Sequence, residues 1–481
     1  MDFLLVVATI TALLWGLVFA LRGSLLVGLI AVLLAGACFG HPFAHFDVGP
    51  ITLTLDRLAI ALVAGIYVVQ RRLGRLDPKP LTAQEMVLLS LVGYLAVSTV
   101  YGGYTAPNAD GFPGLWHLIA AYLMPATIYW MARDVKSAPS IQQWLFGTLV
   151  ALGIYLGLTG IAEIAHQWWA VFPKHIADPE VGLHFGRARG PMVQLPTYGV
   201  YLATCLLAAW LWLPSLSRAG KLAVLCTIPV MLAGVYFSYT RSVWLGAASG
   251  LFIVWTLVLP GVWRRIVLGT AIVAAVFVGA TQFDNLIRLK RDESAARAAM
   301  SANMRVSFAY VSWQMFLDRP FLGCGLGNFP SAKLEYLDDQ SVDLPLQQIR
   351  DLSHHNTFLS LLTDTGIVGL LLFVTLLGMW VRSGWRTATS NTASPNERRQ
   401  GVLLLGALGV YFCQLMFHDL TYTPMENSLL YLLAGLCAGI QQSEGRTRRR
   451  RVEPAWRFVP ADQLAEVDVD STSRQELNTA R

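Results

Sequence analysis

Apolar runs of about 17 to 23 residues recur from one end of this chain to the other, each long enough to span a bilayer as a helix. They fall near 3–21, 24–40, 51–69, 84–101, 114–132, 141–163, 193–213, 221–238, 243–260, 265–281, 358–381, 401–417 and 427–441, thirteen candidates in all. The first two lie close enough together to leave twelve open. Composition agrees, with 55% hydrophobic and 14% charged residues. The expected fold is an all-α polytopic membrane protein with about 12–13 transmembrane helices and one large extracytoplasmic loop. The first run has no basic residue ahead of it and no small-residue cleavage site, so it is expected to be a retained span. No internal repeat supports an inverted duplication.

Charge sets the expected topology. Arg71, Arg72, Arg75, Lys79, Arg133, Lys136, Arg218, Lys221, Arg264, Arg265, Arg382, Arg386, Arg398, Arg399 and the run Arg446–Arg451 mark one side. By the positive-inside rule that side is cytoplasmic. The linkers 41–50, 102–113, 164–192, 239–242, 282–357 and 418–426 then lie outside. The chain divides into N-terminal helices (1–163), a membrane domain with the large loop (164–441, loop 282–357) and a basic then acidic tail (442–481) expected to be disordered.

The long loop closes on Leu352–Phe358, in which His355-Asn356 is separated by nine residues from Gly366-x-x-Gly369. A histidine at the mouth of a membrane helix suits proton transfer at neutral pH. Its outside location excludes cytosolic nucleotide chemistry at that residue, and no nucleic-acid partner is expected.

Arginines in outer linkers run against the positive-inside rule. Arg187 and Arg189 precede one span, Arg241 sits in a turn of a few residues, and Arg305 heads an amphipathic run with Phe308, Val311, Met315 and Phe316 on one stripe. Guanidinium forks match phosphate or diphosphate oxygens; snorkelling to lipid phosphates is the bland reading of each alone. The stretch Gly323-Cys324-Gly325-Leu326-Gly327 has no preceding strand, so a tight turn is expected there, not a dinucleotide site. The six cysteines include no C-x-x-C pair and read as small apolar residues. Asp56, Arg57 and Glu163 are too few to support the ion relay of a transporter or flippase, the rival reading.

On His355-Asn356-x9-Gly366-x-x-Gly369, Arg241, Arg305 and the turn Pro320–Phe329 ending in Asn-Phe, the chain resembles the O-antigen ligase and polymerase superfamily of bacterial membrane glycosyltransferases, over roughly residues 180 to 440. The resemblance implies transfer of an undecaprenyl-diphosphate-linked glycan to an acceptor hydroxyl at the periplasmic face of the inner membrane. It implies His355 as general base and Arg241, Arg305, Arg187 and Arg189 as diphosphate ligands. Asn356, Gly366 and Gly369 would be supporting residues, Asn356 as a helix cap. Inversion at the anomeric carbon and no metal or other cofactor are expected. A lipid A-core sugar (ligase), a second lipid-linked unit (polymerase) and a protein hydroxyl (oligosaccharyltransferase) all stay open as acceptor, with membrane lipids as surroundings. His166, Trp168, Trp169, Phe172 and Tyr336 are candidate sugar-stacking rings, with an interfacial belt as the alternative.

Overall fold

The computed structural model describes residues 23–48, 51–76, 79–103, 114–136, 139–277, 295–420 and 424–452. The first apolar run and the acidic tail lie outside the described residues. The helices are α1 (Leu25–Cys38), α2 (Leu55–Arg72), α3 (Ala83–Tyr101), α4 (Gly114–His117), α5 (Met124–Arg133), α6 (Pro139–Ile164), α7 (Leu195–Trp212), α8 (Arg218–Phe237), α9 (Arg241–Val258), α10 (Gly261–Phe277), α11 (Ala295–Asp318), α12 (Phe329–Ala332), α13 (Thr357–Thr389), α14 (Pro395–Phe417) and α15 (Pro424–Val452). A π-helical stretch, Leu118–Leu123, joins α4 to α5.

Helix occupies twelve of the thirteen apolar runs, and seven of the described helices are long and apolar enough to cross a membrane. The protein is an all-α polytopic membrane protein. Its only described strands are a small antiparallel hairpin, β1 (His45–Val48) and β2 (Ile51–Thr54), with His45 opposite Thr54. That hairpin takes the start of the 51–69 run. It shifts α2 inward, so Asp56 and Arg57 stand in the first turn of the helix and not at mid-membrane.

α7 is the most enclosed span, packed by α6, α8, α9 and α14. α14 also packs on α9 and α13, and α13 on α3. These contacts bring the starts of α9 and α13 to the end of α14. At the opposite end of the bundle Arg133 reaches Asp134 at 3.3 Å and Glu85 at 3.8 Å, while Lys79 donates to the carbonyls of Arg133 and Gly439. Burying these charges is tolerable because each meets an opposite charge or a carbonyl. The Lys79–Glu85–Arg133–Asp134 cluster and the starts of α9 and α13 thus stand at opposite ends of the bundle.

Residues up to Gln441 form one compact unit, and Gln442–Arg481 a second. The basic run Arg446–Arg451, expected in a disordered tail, lies within α15, which extends to Val452.

Outside the spans, the end of the long loop forms a small core of its own. Phe308, Val311 and Met315 of α11 meet Cys324, Phe329, Leu337, Leu346 and Ile349. The apolar stripe expected along α11 is therefore buried, except that Phe316 is only partly covered.

Candidate active site

α13 begins with a tightly specified cap. Asn356 has extended backbone, and its side-chain oxygen accepts the Leu359 N–H at 3.0 Å. Its amide donates to Met416 O at 3.1 Å, and Thr357 Oγ1 donates to His418 O at 2.9 Å while accepting the Leu420 N–H at 2.9 Å. Orphan donors of the first turn are thereby satisfied. The same bonds fix the start of α13 against the end of α14.

The two histidines before this cap have opposite environments. His354 is buried, its Nε2 lies 3.0 Å from Thr363 Oγ1, and its ring stacks on Phe329 with centroids 3.5 Å apart. Burial, then Lys333 and His355, holds its pKa well below the usual imidazole value. His355 has an exposed ring whose inner side meets Phe308 edge-on at 5.6 Å. Among the described residues no hydrogen bond reaches its ring nitrogens. The covered side, and then the charge of Arg305, push its pKa down, so the neutral imidazole prevails at pH 7.

Arg305 precedes Phe308 by one helical turn on α11. Its guanidinium stands over the Phe417 ring, 5.4 Å from the centroid. Burial lowers its pKa, and the charge of Arg241 lowers it further. Arg241 is the first residue of α9, exposed, after Thr240 at the N-cap. The next residue, Ser242, places Oγ 2.9 Å from His418 Nε2. His418 is pushed down to about 4, by burial first and then by His355, Arg305 and His184. Arg241, Arg305, His355, His418 and His184 therefore form one neighbourhood. The N-terminal ends of α9 and α13 add positive potential to it.

The remaining two arginines precede α7. Arg189 is fully buried, and its guanidinium donates to the carbonyls of Val181, Leu183, Ile176 and Asp178. Glu163 accepts the N–H groups of Arg189 and Gly190 at 3.2 and 2.8 Å. Arg189 is occupied in holding its own loop. Arg187 is partly buried one residue before Ala188, whose N–H donates to Phe237 O at 3.0 Å. It therefore stands beside the turn that carries Arg241.

Gly366 breaks α13, with φ 64° and ψ −169°. A Cβ there would lie 2.3 Å from Phe321 O, so only glycine fits both the conformation and the contact. The glycine-rich turn docks into the break. Cys324 N–H donates to Thr363 O, Gly325 N–H to Asp364 O, and Ile367 N–H to Pro320 O, at 2.9, 2.9 and 2.8 Å. The Asp364 carboxylate accepts the N–H groups of Gly327 and Phe329 at 2.8 and 3.1 Å. Gly369 lies against Tyr94 of α3. Through Phe329 and His354, this joint sets the height of the His355 segment above the membrane helix.

The fold and site define a polytopic membrane protein with a basic, histidine-containing centre at one end of its bundle. Residues 226–374 match the family model described as O-Antigen ligase, and this supports membership of the O-antigen ligase superfamily. The matched segment contains Arg241, Arg305, His355, Asn356, Gly366 and Gly369, and excludes Arg187 and Arg189. This likeness over 226–374 points, in general terms, to a membrane glycosyltransferase-like enzyme with glycan and lipid-linked substrates. No curated protein matches the chain.

Proposed function

We propose that the protein transfers a glycan from undecaprenyl diphosphate to an acceptor hydroxyl, as an O-antigen ligase-like enzyme of the bacterial inner membrane with its site facing the periplasm. One observation carries the reading. The Arg305 guanidinium over Phe417 and the Ser242–His418 contact beside Arg241 bring two arginines to one place, where the charge of Arg241 lowers the pKa of Arg305 beside a neutral, exposed imidazole. Like charges brought together at a cost suit an anion that separates them, and a diphosphate supplies it.

In this mechanism the acceptor oxygen attacks the anomeric carbon from the side opposite the diphosphate. The glycosidic C–O bond breaks and its electron pair leaves with the diphosphate, where Arg241 and Arg305 stabilise the developing charge. The acceptor proton passes to a ring nitrogen of His355. Bound diphosphate offsets the charge of Arg305 and so raises the basicity of His355 when a base is needed. In-line displacement inverts the anomeric centre, and departure on two guanidiniums calls for no metal. Arg189 acts by shaping its loop. Asn356, Gly366 and Gly369 hold the imidazole in place.

Reconstitution in liposomes with a lipid-diphosphate-linked glycan and a glycan acceptor tests the reading. The expected product has the opposite anomeric configuration to the donor, with release of undecaprenyl diphosphate. A product with retained configuration would sink the direct displacement.

A further inference from the structure

Pro320, Phe321 and Leu322 belong to the extracytoplasmic loop in sequence, yet the structure fastens them to the flanks of membrane helices. The single Tyr94 O–H is shared between Phe321 O at 2.7 Å and Thr365 O at 2.8 Å, and Pro320 O accepts the Ile367 N–H. Tyr94 stands seven residues before the outer end of α3, or about 10 Å below it at 1.5 Å per residue. α3 has 19 residues, about the length of the hydrocarbon layer, so little of it protrudes. Val97 and Tyr101, above Tyr94 on the same stripe, are exposed apolar side chains that continue the lipid-facing wall outward.

The exposed side chains of the docked segment fit that level. Phe321 is 67% exposed, and Leu322 is exposed too. Leu317 and Trp313 form an exposed stripe on the face of α11 opposite Phe308 and Val311. Non-helical backbone is tolerated at membrane depth where its polar groups are paired by protein. Here the break at Gly366 and the turn satisfy each other. Asp318 falls on the Val311 and Met315 face of α11 and accepts the Tyr336 hydroxyl at 2.6 Å, so its carboxylate is held by the loop and away from the Trp313–Leu317 stripe.

We propose that the segment Leu317–Leu322 is re-entrant: it dips into the outer leaflet, with Phe321, Leu322 and Leu317 against acyl chains and Trp313 at the headgroup level. The membrane surface is thus a docking partner of the catalytic loop. α11, which carries Arg305 near its middle and runs into the wedge at its C-terminal end, is held at a defined height relative to the bilayer. The inference does not depend on the glycosyl-transfer reading.

The test is depth-dependent fluorescence quenching. Phe321→Cys and Trp313→Cys are each made in a Cys226→Ser background, because Cys226 is exposed, labelled with nitrobenzoxadiazole and reconstituted in vesicles without donor. Quenching by lipids carrying a spin label on the acyl chain should be strong at position 321 and weaker at 313, and aqueous iodide should quench 313 more than 321. Leu317→Cys is the second probe should Phe321→Cys fail to yield monodisperse protein. Iodide quenching of 321 and 317 without lipid quenching overturns the proposal. So does protection of both from either quencher, which would place a protein partner on the wedge.

Discussion

The backbone N–H of Gly327 donates to Oδ2 of Asp364 at 2.8 Å, fastening a turn of the outer loop to the inside of a membrane helix. The other carboxylate oxygen takes the Phe329 N–H at 3.1 Å. An asparagine would turn an NH2 group toward one of these donors. Asp364→Asn should therefore cost about 1–3 kcal/mol, the usual penalty for a buried donor left unpaired. Limited proteolysis should show faster cleavage between residues 320 and 350, with turnover reduced in parallel. Unchanged cleavage would remove Asp364 as the anchor.

Gly366→Ala should be more damaging. Its φ of 64° with ψ of −169° lies in a region restricted to glycine, where another residue costs about 1–3 kcal/mol, and the added Cβ would also collide with Phe321 O. Membrane abundance and thermal stability in detergent should both fall. Gly378→Ala, with open space at its Cβ, serves as the tolerated control.

Lysine substitutions separate the arginines. Arg241→Lys and Arg305→Lys keep the charge but lose the planar fork, and each should lower kcat/KM at least tenfold with abundance unchanged. Arg189→Lys cannot serve four carbonyls at once. It should reduce abundance and stability, with the activity of the surviving protein largely kept. The opposite pattern would exchange the roles assigned to these residues.

The pH profile follows from His355. Its pKa lies below the ordinary 6.5, through burial and then Arg305, so the neutral base is present at pH 7 and is lost only on acidification below 6.5. Arg305→Gln removes a positive neighbour, which raises the His355 pKa. The acid limb of the residual kcat/KM should then move to higher pH. A limb that stays in place would separate Arg305 from His355.

Hydropathy made the bundle legible: twelve runs carry helix, and the stripe Phe308, Val311 and Met315 is buried as its spacing predicts. The break at Gly366 was not legible, because a glycine in an apolar run leaves the helical period intact. Gly366 and Gly369 read alike in sequence, yet one breaks the helix and the other packs on Tyr94. Asp364 carries a signal of its own, an acid within an apolar span, but its partners, the N–H groups of the glycine-rich turn, are set only by the tertiary fold. His418 carries the same mark as His355, a histidine at the mouth of a span. Its link to the site appears only when α14 closes on α9 and α13. The outer arginines cannot be told apart by charge, since only tertiary contacts decide whether a guanidinium meets carbonyls, as in Arg189, or an aromatic ring at the mouth of a span, as in Arg305.

The most direct test of the account is the lipid-linked glycan in membranes of a host carrying His355→Ala. Glycan should accumulate on undecaprenyl diphosphate with the variant protein present at normal abundance: long chains for a ligase, single repeat units for a polymerase. Lipid-linked glycan unchanged from the wild type, in amount and length, would contradict the assignment of His355 as the base and with it the proposed reaction.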